Sequence, residues 1–261
     1  MENRTYLNPK NYYDNRRLEE EKALSSLLVL MPSYRGQEAL PRNCLESLVR
    51  CGAEVIASYE CSDPALHRCI VAERAMNFLS DPKNAATYTH VLWVDDDMVF
   101  TPAEAAFVFH LSDLFDAAIS ARYCKRGNSN RLTLKHFYAD VLSAPLSELF
   151  PLLDTVDEIE VIPALCGMGF LVVPAFQFAE HCRRVPQCEH QTSDGRTVSM
   201  PAICSSGPLD LTRGRFCWCS EDECYCRGLW HYSNGVYVAP IQVAHLSSVP
   251  LVPAKDAIWL G

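Results

Sequence analysis

The sequence predicts an α/β fold in which a mostly parallel sheet carries helices on both faces. Three observations support this. Short, wholly apolar runs of strand length recur, as at Leu27 to Met31 and His90 to Val94. Stretches with apolar residues at helical spacing separate them. Strands and helices alternate over the first half, and that order implies parallel strands joined by right-handed crossovers.

Leu27 to Met31 reads as a buried strand that ends at Pro32, which has no N–H to donate to a ladder. Leu40 to Arg50 has helical spacing, and after Gly52 a second strand, Glu54 to Ser58, completes a β-α-β unit. The next helix spans Pro64 to Leu79, with Pro64 in its first turn and Leu66, Ile70, Val71, Ala75 and Phe78 forming its apolar stripe. Asp81 and Pro82 close it. His90 to Val94 is apolar throughout, as expected of a strand covered on both faces, and Asp95, Asp96 and Asp97 follow it. Thr101 caps a helix from Pro102 to Phe115, and Ala117 to Ala121 is a further strand.

The second half is less regular. It offers an apolar segment at Glu160 to Leu165, glycines at Gly167 and Gly169, and a strand at Phe170 to Pro174. Gln187 to Phe216 reads as a long polar loop. A helix at Glu221 to Leu229, a strand at Val236 to Ala239 and an extended segment at Ile241 to His245 complete the chain. No internal repeat or linker composition divides it. The expected organisation is a polar leader over residues 1–24 and one domain over residues 25–261, with a cysteine-rich insertion near residues 182–219.

A formal charge of −9 argues against a broad electrostatic grip on nucleic acid, which takes clustered Lys and Arg. Arg122, Lys125, Arg126, Arg131 and Lys135 form one basic stretch, read as a solvated loop and a candidate acceptor surface. The first 23 residues lack the apolar core of a secretion signal, and no run reaches the roughly eighteen apolar residues of a membrane span. A soluble, intracellular protein is expected. Thirteen cysteines, an odd number, suit reduced thiols better than a disulfide framework. Cys182, Cys188, Cys204, Cys217, Cys219, Cys224 and Cys226, with His181 and His190, hold enough soft ligands for a structural zinc, but their C-x-C pairs do not match zinc knuckles. Buried or loop thiols are the preferred reading, with zinc as the alternative.

Three adjacent carboxylates at the mouth of an apolar strand repel one another and need a positive partner. A divalent cation shared with a diphosphate meets that need. Here the residues resemble a known family: His90 to Phe100 looks like the strand and D-x-D motif of GT-A fold, nucleotide-diphospho-sugar glycosyltransferases of the family-2 type. Leu28 to Tyr34 resembles their first strand and nucleotide-contacting loop. Ile70 to Ala75 resembles the helix that offers an Arg, here Arg74, toward the donor. Cys166 to Pro174 resembles the small-residue turn beside the sugar pocket, where glycine permits close backbone approach and positive φ. Ser220 to Arg227 resembles the E-D motif at a helix start, and His245 the C-terminal histidine that completes the metal site.

The resemblance implies a Rossmann-like GT-A sheet and a metal-dependent transfer of a sugar, from a UDP-sugar in particular, to an acceptor hydroxyl with inversion. Donor contacts fall to Pro32, Ser33, Tyr34, Arg74, Asp95, Asp96, Gly167 and Gly169. Manganese or magnesium falls to Asp95, Asp97 and His245, and the catalytic base to Asp222 beside Glu221. The acceptor is left open among a glycan, a protein and a modified DNA base of phage type, the last implying a viral source. Two other readings stay open. A nucleotidyltransferase needs a Gly-rich phosphate loop that Pro32 to Gly36 matches poorly, and a metal-stabilised binding module would have no turnover.

Overall fold

The computed structural model of the chain describes residues 17–33, 41–59, 63–125, 128–149, 158–192, 195–210, 216–246 and 258–260. Helix α1 (Arg17–Ser25) leads into β1 (Leu27–Pro32), and α2 (Arg42–Cys51), β2 (Glu54–Ser58), α3 (Pro64–Leu79) and the short α4 (Pro82–Thr87) precede β3 (His90–Val94) and β4 (Met98–Val99). There follow α5 (Pro102–Phe115), β5 (Ala118–Arg122), β6 (Cys124–Lys125), β7 (Asn128–His136), β8 (Leu142–Pro145), α6 (Leu146–Leu149), β9 (Glu158–Cys166), β10 (Phe170–Pro174) and α7 (Ala175–Arg184). Two hairpins come next, β11 (Gln187–Gln191) with β12 (Thr197–Pro201) and β13 (Gly207–Asp210) with β14 (Phe216–Cys219). The final elements are α8 (Glu221–Tyr232), β15 (Val236–Gln242), β16 (Ala244–His245) and β17 (Ile258–Leu260).

Among the described residues eleven strands form the main sheet, in the order β17-β7-β9-β15-β5-β10-β3-β1-β2, with β6 paired to β7 and β8 to β9. Helices cover both faces, as the alternation of elements predicts. Along β3 the side chains divide by period two: Leu92 and Val94 enter a core shared with α1, α2 and α5, while Val91 and Trp93 enter one shared with α3, α7 and α8. Trp93 is fully buried, and its indole N–H donates to the Tyr225 hydroxyl of α8 at 3.1 Å. A buried aromatic of this size brings its polar atom to a partner and contributes through the area it removes from water.

The sheet is mixed rather than mostly parallel. β2, β1 and β3 run parallel, and so do β5 and β15, but β10 lies antiparallel between β3 and β5. β9 is antiparallel to β15, and β7 and β8 to β9. Apolar periodicity identifies a strand but carries no information on its direction. The polar insertion is also more ordered than its composition implies. β11 alternates exposed and half-buried residues, the period of a one-sided strand, and Gly195 takes φ 83° in the following turn. At the N-terminal side, Ala23 and Leu24 of α1 are core residues, so the polar leader gives way to packed structure before residue 25.

Helix starts follow the residues. Thr101 caps α5 with a reciprocal Glu104 capping box, and Asp63 caps α3 by accepting from Leu66 N at 2.8 Å. The strands β1, β3, β5 and β15 all end at one edge of the sheet, and β10 begins there. In open α/β sheets this carboxyl edge is where ligands bind.

Gly228 on α8 shows how tightly the second core is packed, because a Cβ there would lie 2.5 Å from Nε2 of buried His181, which stacks on Tyr225 at 4.9 Å. Helix propensity alone favours Gly228→Ala by about 1 kcal/mol. Overpacking costs about 1–3 kcal/mol. Gly228→Ala is therefore expected to lower the thermal midpoint, and a rise would show that this face yields.

Candidate active site

The acidic triplet follows β3 and spreads in three directions. Asp95 meets the guanidinium of Arg68 from α3, with Nη2 3.1 Å from Oδ1. Asp96 turns toward β1, where its Oδ2 accepts from Ser33 Oγ at 2.7 Å. Asp97 turns toward β16, with Oδ1 3.0 Å from His245 Nε2, and its carbonyl accepts from Leu246 N at 2.6 Å. Asp96 and Asp97 are buried, so each carboxylate needs the partner it has.

Arg68 is the centre of one half. Its side chain is 3% exposed and it meets Asp222 Oδ1 at 2.7 Å and Glu221 Oε1 at 3.2 Å as well as Asp95. One guanidinium thus ties α3 to the end of β3 and to the first turn of α8, where Glu221, Asp222 and Glu223 also face the helix dipole. Beside it, Lys135 Nζ and Arg227 Nη2 each approach a Glu223 carboxylate oxygen at 2.7 Å, and these two cations outweigh burial and hold its pKa below the usual value.

Asp222 is crowded by protein atoms although 29% of its side chain meets solvent. Burial, then the charges of Asp95 and Glu221, push its pKa up to about 6 against the opposing pull of Arg68 and of the Met168 N–H, which donates to Oδ1 at 3.2 Å. Because the folded value is raised, this carboxyl's contribution to stability is present below the ordinary carboxylate range and lost as pH rises through about 6.

The other half is the Asp97–His245 pair. His245 Nδ1 lies 3.0 Å from the Cys124 carbonyl, an acceptor only, so this nitrogen carries a proton. Nε2 faces a carboxylate, so a cation must sit between the two groups, either a second proton or a metal ion. Burial opposes charging the imidazole, but the hydrogen bond and charge of Asp97 and the Cys124 carbonyl outweigh it and raise its pKa. The residues fit a divalent ion as adjacent ligands. Two atoms each about 2.1 Å from one ion at a right angle stand about 3.0 Å apart. The carbonyl behind Nδ1 is the kind of outer contact that orients a metal-binding histidine. Asp95, expected as a third ligand, is instead held by Arg68, and among the described residues no group of three or more His, Cys, Asp or Glu side chains is placed to hold a metal.

The structure brings together Ser33, Asp95, Asp96, Asp97, Gly169, Glu221, Asp222 and His245, with Pro32 closing β1. Arg74 lies elsewhere on α3 and donates to the Ala57 carbonyl at 3.0 Å, capping β2. Six residues, about one and two-thirds turns, separate it from Arg68 and rotate it off that face. Gly167 and Gly169 do not have positive φ. A Cβ on Gly167 would lie 2.2 Å from the Tyr123 hydroxyl, and one on Gly169 would lie 2.9 Å from it and 3.0 Å from Asp95 Oδ2. Their missing side chains make room for Tyr123 and Asp95.

Tyr34 and Arg126, and the side chains of Lys125, Arg131 and Cys217, lie outside the described residues. Arg122 is buried at the end of β5, and Lys135 of β7 is bound to Glu223 of α8, so these two belong to strands and not to a solvated loop. Eleven cysteines are described, all free, nine of them buried, and Cys166 and Cys226 lie with their Sγ atoms 3.9 Å apart. Among the described residues no helix is long and apolar enough to cross a membrane.

Arg68 and Tyr123 are the residues that the motifs do not contain. Arg68 had a signal, since a charge on the apolar stripe of a helix requires a buried partner. Tyr123 had none, as an aromatic after a strand reads as core.

No protein-family model and no curated protein matches the chain. Among solved structures, A197 from STIV is similar over 89% of this chain and 91% of that one, at 13% identity and a TM-score of 0.47. A likeness at this level assigns neither a family nor an activity.

Removing Arg68 leaves three carboxylates facing one another. Arg68→Met is expected to destabilise the fold by about 3–5 kcal/mol at pH 8, the usual cost of breaking a buried ion pair. Because protonation relieves the repulsion, the deficit relative to the native chain should shrink as pH falls to 5. Denaturant unfolding at both pH values measures this, and an equal deficit at both would show that charge is not the cause.

Proposed function

We propose that this chain is a metal-dependent glycosyltransferase that moves a sugar from a nucleotide-diphosphate donor, a UDP-sugar, to an acceptor hydroxyl with inversion. The observation that carries the reading is the division of one carboxyl edge into two kinds of acid. Asp97 with His245 forms a pair that requires a cation, and Asp222 forms a raised, solvent-reachable carboxyl held by Arg68, with Asp95 next to both.

The order of motifs along the chain supports the same assignment. Asp97 and His245 would hold manganese or magnesium, which when bound would neutralise charge on the diphosphate leaving group. Asp222 takes the proton from the acceptor hydroxyl. The acceptor oxygen then forms its bond to the anomeric carbon as the bond to the diphosphate oxygen breaks and the electron pair leaves with the diphosphate. Arg68 and the Met168 N–H orient the Asp222 carboxylate for this transfer. A base with a pKa near 6 is mostly ionised at neutral pH yet more basic than an ordinary carboxylate. The acceptor, whether glycan, protein or modified DNA base, is not specified by these residues.

A thermal-shift screen of nucleotide sugars with manganese tests the reading, since a ligand present at 100 times its Kd stabilises by about 2.7 kcal/mol. A UDP-sugar should raise the midpoint in native protein and fail to do so in Asp97→Ala. Stabilisation by a nucleoside triphosphate alone would favour nucleotidyl transfer instead. With the donor known, transfer should rise as pH increases through about 6 and then level. Asp222→Asn should lower it by about 10²–10⁴-fold while donor binding persists. Full transfer activity in that variant would remove Asp222 as the base.

A further inference from the structure

Tyr123 follows β5 at the carboxyl edge, and its ring fills the space between the two halves of the site. On one side its hydroxyl accepts from Gly169 N at 2.7 Å, and the Gly169 carbonyl accepts in turn from Asp95 N at 3.1 Å. The intervening residue of the same turn, Met168, donates its N–H to Asp222. On the other side the ring stands edge-on to the His245 imidazole, with centroids 6.0 Å apart and planes at 79°. The main chain of Tyr123 is fastened as well, since its carbonyl accepts from both N and Oγ1 of Thr133 at 3.1 Å, and the Thr133 carbonyl accepts from Gly167 N at 2.9 Å.

A buried phenol is costly unless its hydroxyl is bonded, and this one is 3% exposed. The two glycines beside it are the counterpart, because a Cβ on Gly167 would lie 2.2 Å from the hydroxyl oxygen and 3.2 Å from Cζ. The turn that carries the Asp95 and Asp222 contacts is therefore folded around this one side chain.

We propose that Tyr123 is a positioning residue for the transfer reaction: it acts as a rigid spacer that sets the Asp95 and Asp222 half of the site at its working separation from the Asp97 and His245 half. The assignment rests on the glycosyltransferase reading above. Tyr123 is nearly fully buried, so its role is indirect. It acts through Gly169 on Asp95, through the turn on Asp222, and by contact on His245. Losing the hydroxyl frees the Gly169 peptide while the ring stays, so the half of the site that holds the donor through Asp97 and His245 is kept but the base no longer stands at the right distance from the acceptor.

The test is Tyr123→Phe, assayed by steady-state transfer and by thermal unfolding. The expected result is a midpoint close to native, a KM for the nucleotide sugar within about twofold, and a kcat lower by about ten- to a hundredfold, the scale that a shift of about 1 Å produces. Gly167→Ala, which keeps the phenol but pushes it aside, should show the same loss in kcat. Adding Tyr123→Phe to it should recover stability, since the oxygen that the new methyl strikes is gone. If Tyr123→Phe does not fold, the kcat of Gly167→Ala decides. A lowered midpoint with native kcat would make Tyr123 merely structural and overturn the assignment, leaving the glycosyltransferase reading intact. A native protein that turns over no nucleotide sugar would overturn that reading and the assignment with it, whereas recovery of stability in the double variant would still hold.

Discussion

The contact on which the site depends is the buried guanidinium of Arg68. It stands among Asp95, Glu221 and Asp222, three carboxylates from two separate elements, and it is the cation that allows them to share one mouth of the sheet. A buried charge pair often contributes little net stability, because desolvation offsets the attraction. Its value here is geometric. The planar fork of donors fixes the first turn of α8 against the end of β3, which no apolar contact would do with the same directional precision. One guanidinium cannot fully offset three acids, and burial adds to the imbalance. At Asp222, burial and then the charges of Asp95 and Glu221 outweigh Arg68, and its carboxyl is held up to about 6.

The remaining acids are handled differently, and the contrast explains why three consecutive aspartates do three different things. Asp96 is spent on Ser33, joining the ends of the two parallel strands β1 and β3. Asp97 is paired with a histidine whose other nitrogen is committed to a main-chain carbonyl, which leaves a place for a cation between two buried groups. Only Asp95 stands at the boundary, bound on one side to Arg68 and on the other, through its N–H, to the glycine turn beside Tyr123. Tyr123 stands between the two halves, bonded to the Asp95 half through Gly169 and touching the His245 half through its ring.

Much of this was legible in the residues. The extents of β2, α3, β3, α5 and β10 follow from apolar runs bounded by Pro, Gly and capping residues, because those signals are local. Strand direction was not legible, and so β10 and β9 turned a parallel expectation into a mixed sheet. The long insertion folds as two hairpins, which its loop-like composition hid, although β11 alternates exposed and half-buried residues. At the carboxyl edge, type and order singled out Asp95, Asp97, Asp222 and His245 and put Asp97 with His245, but not Arg68 beside Asp95 and Asp222. The motif pointed to Arg74, six residues along the same helix from Arg68, since a motif records the spacing of residues and not the face on which they lie. The glycines were read as making room for a ligand, whereas the space is taken by a tyrosine some forty residues earlier in the chain.

The most direct measurement follows from the number of protein groups around the proposed metal. Among the described residues, Asp97 and His245 are the pair that fits as ligands, so the ion should need the donor's phosphates to complete its shell. Titration of Mn²⁺ against the protein, followed by the paramagnetic resonance of the free ion, should show weak binding alone and at least about tenfold tighter binding once UDP is present, a coupling of about 1.4 kcal/mol. Binding of manganese that is equally tight with and without the nucleotide, or absent in both cases, would contradict a diphosphate-sugar site at this edge of the sheet.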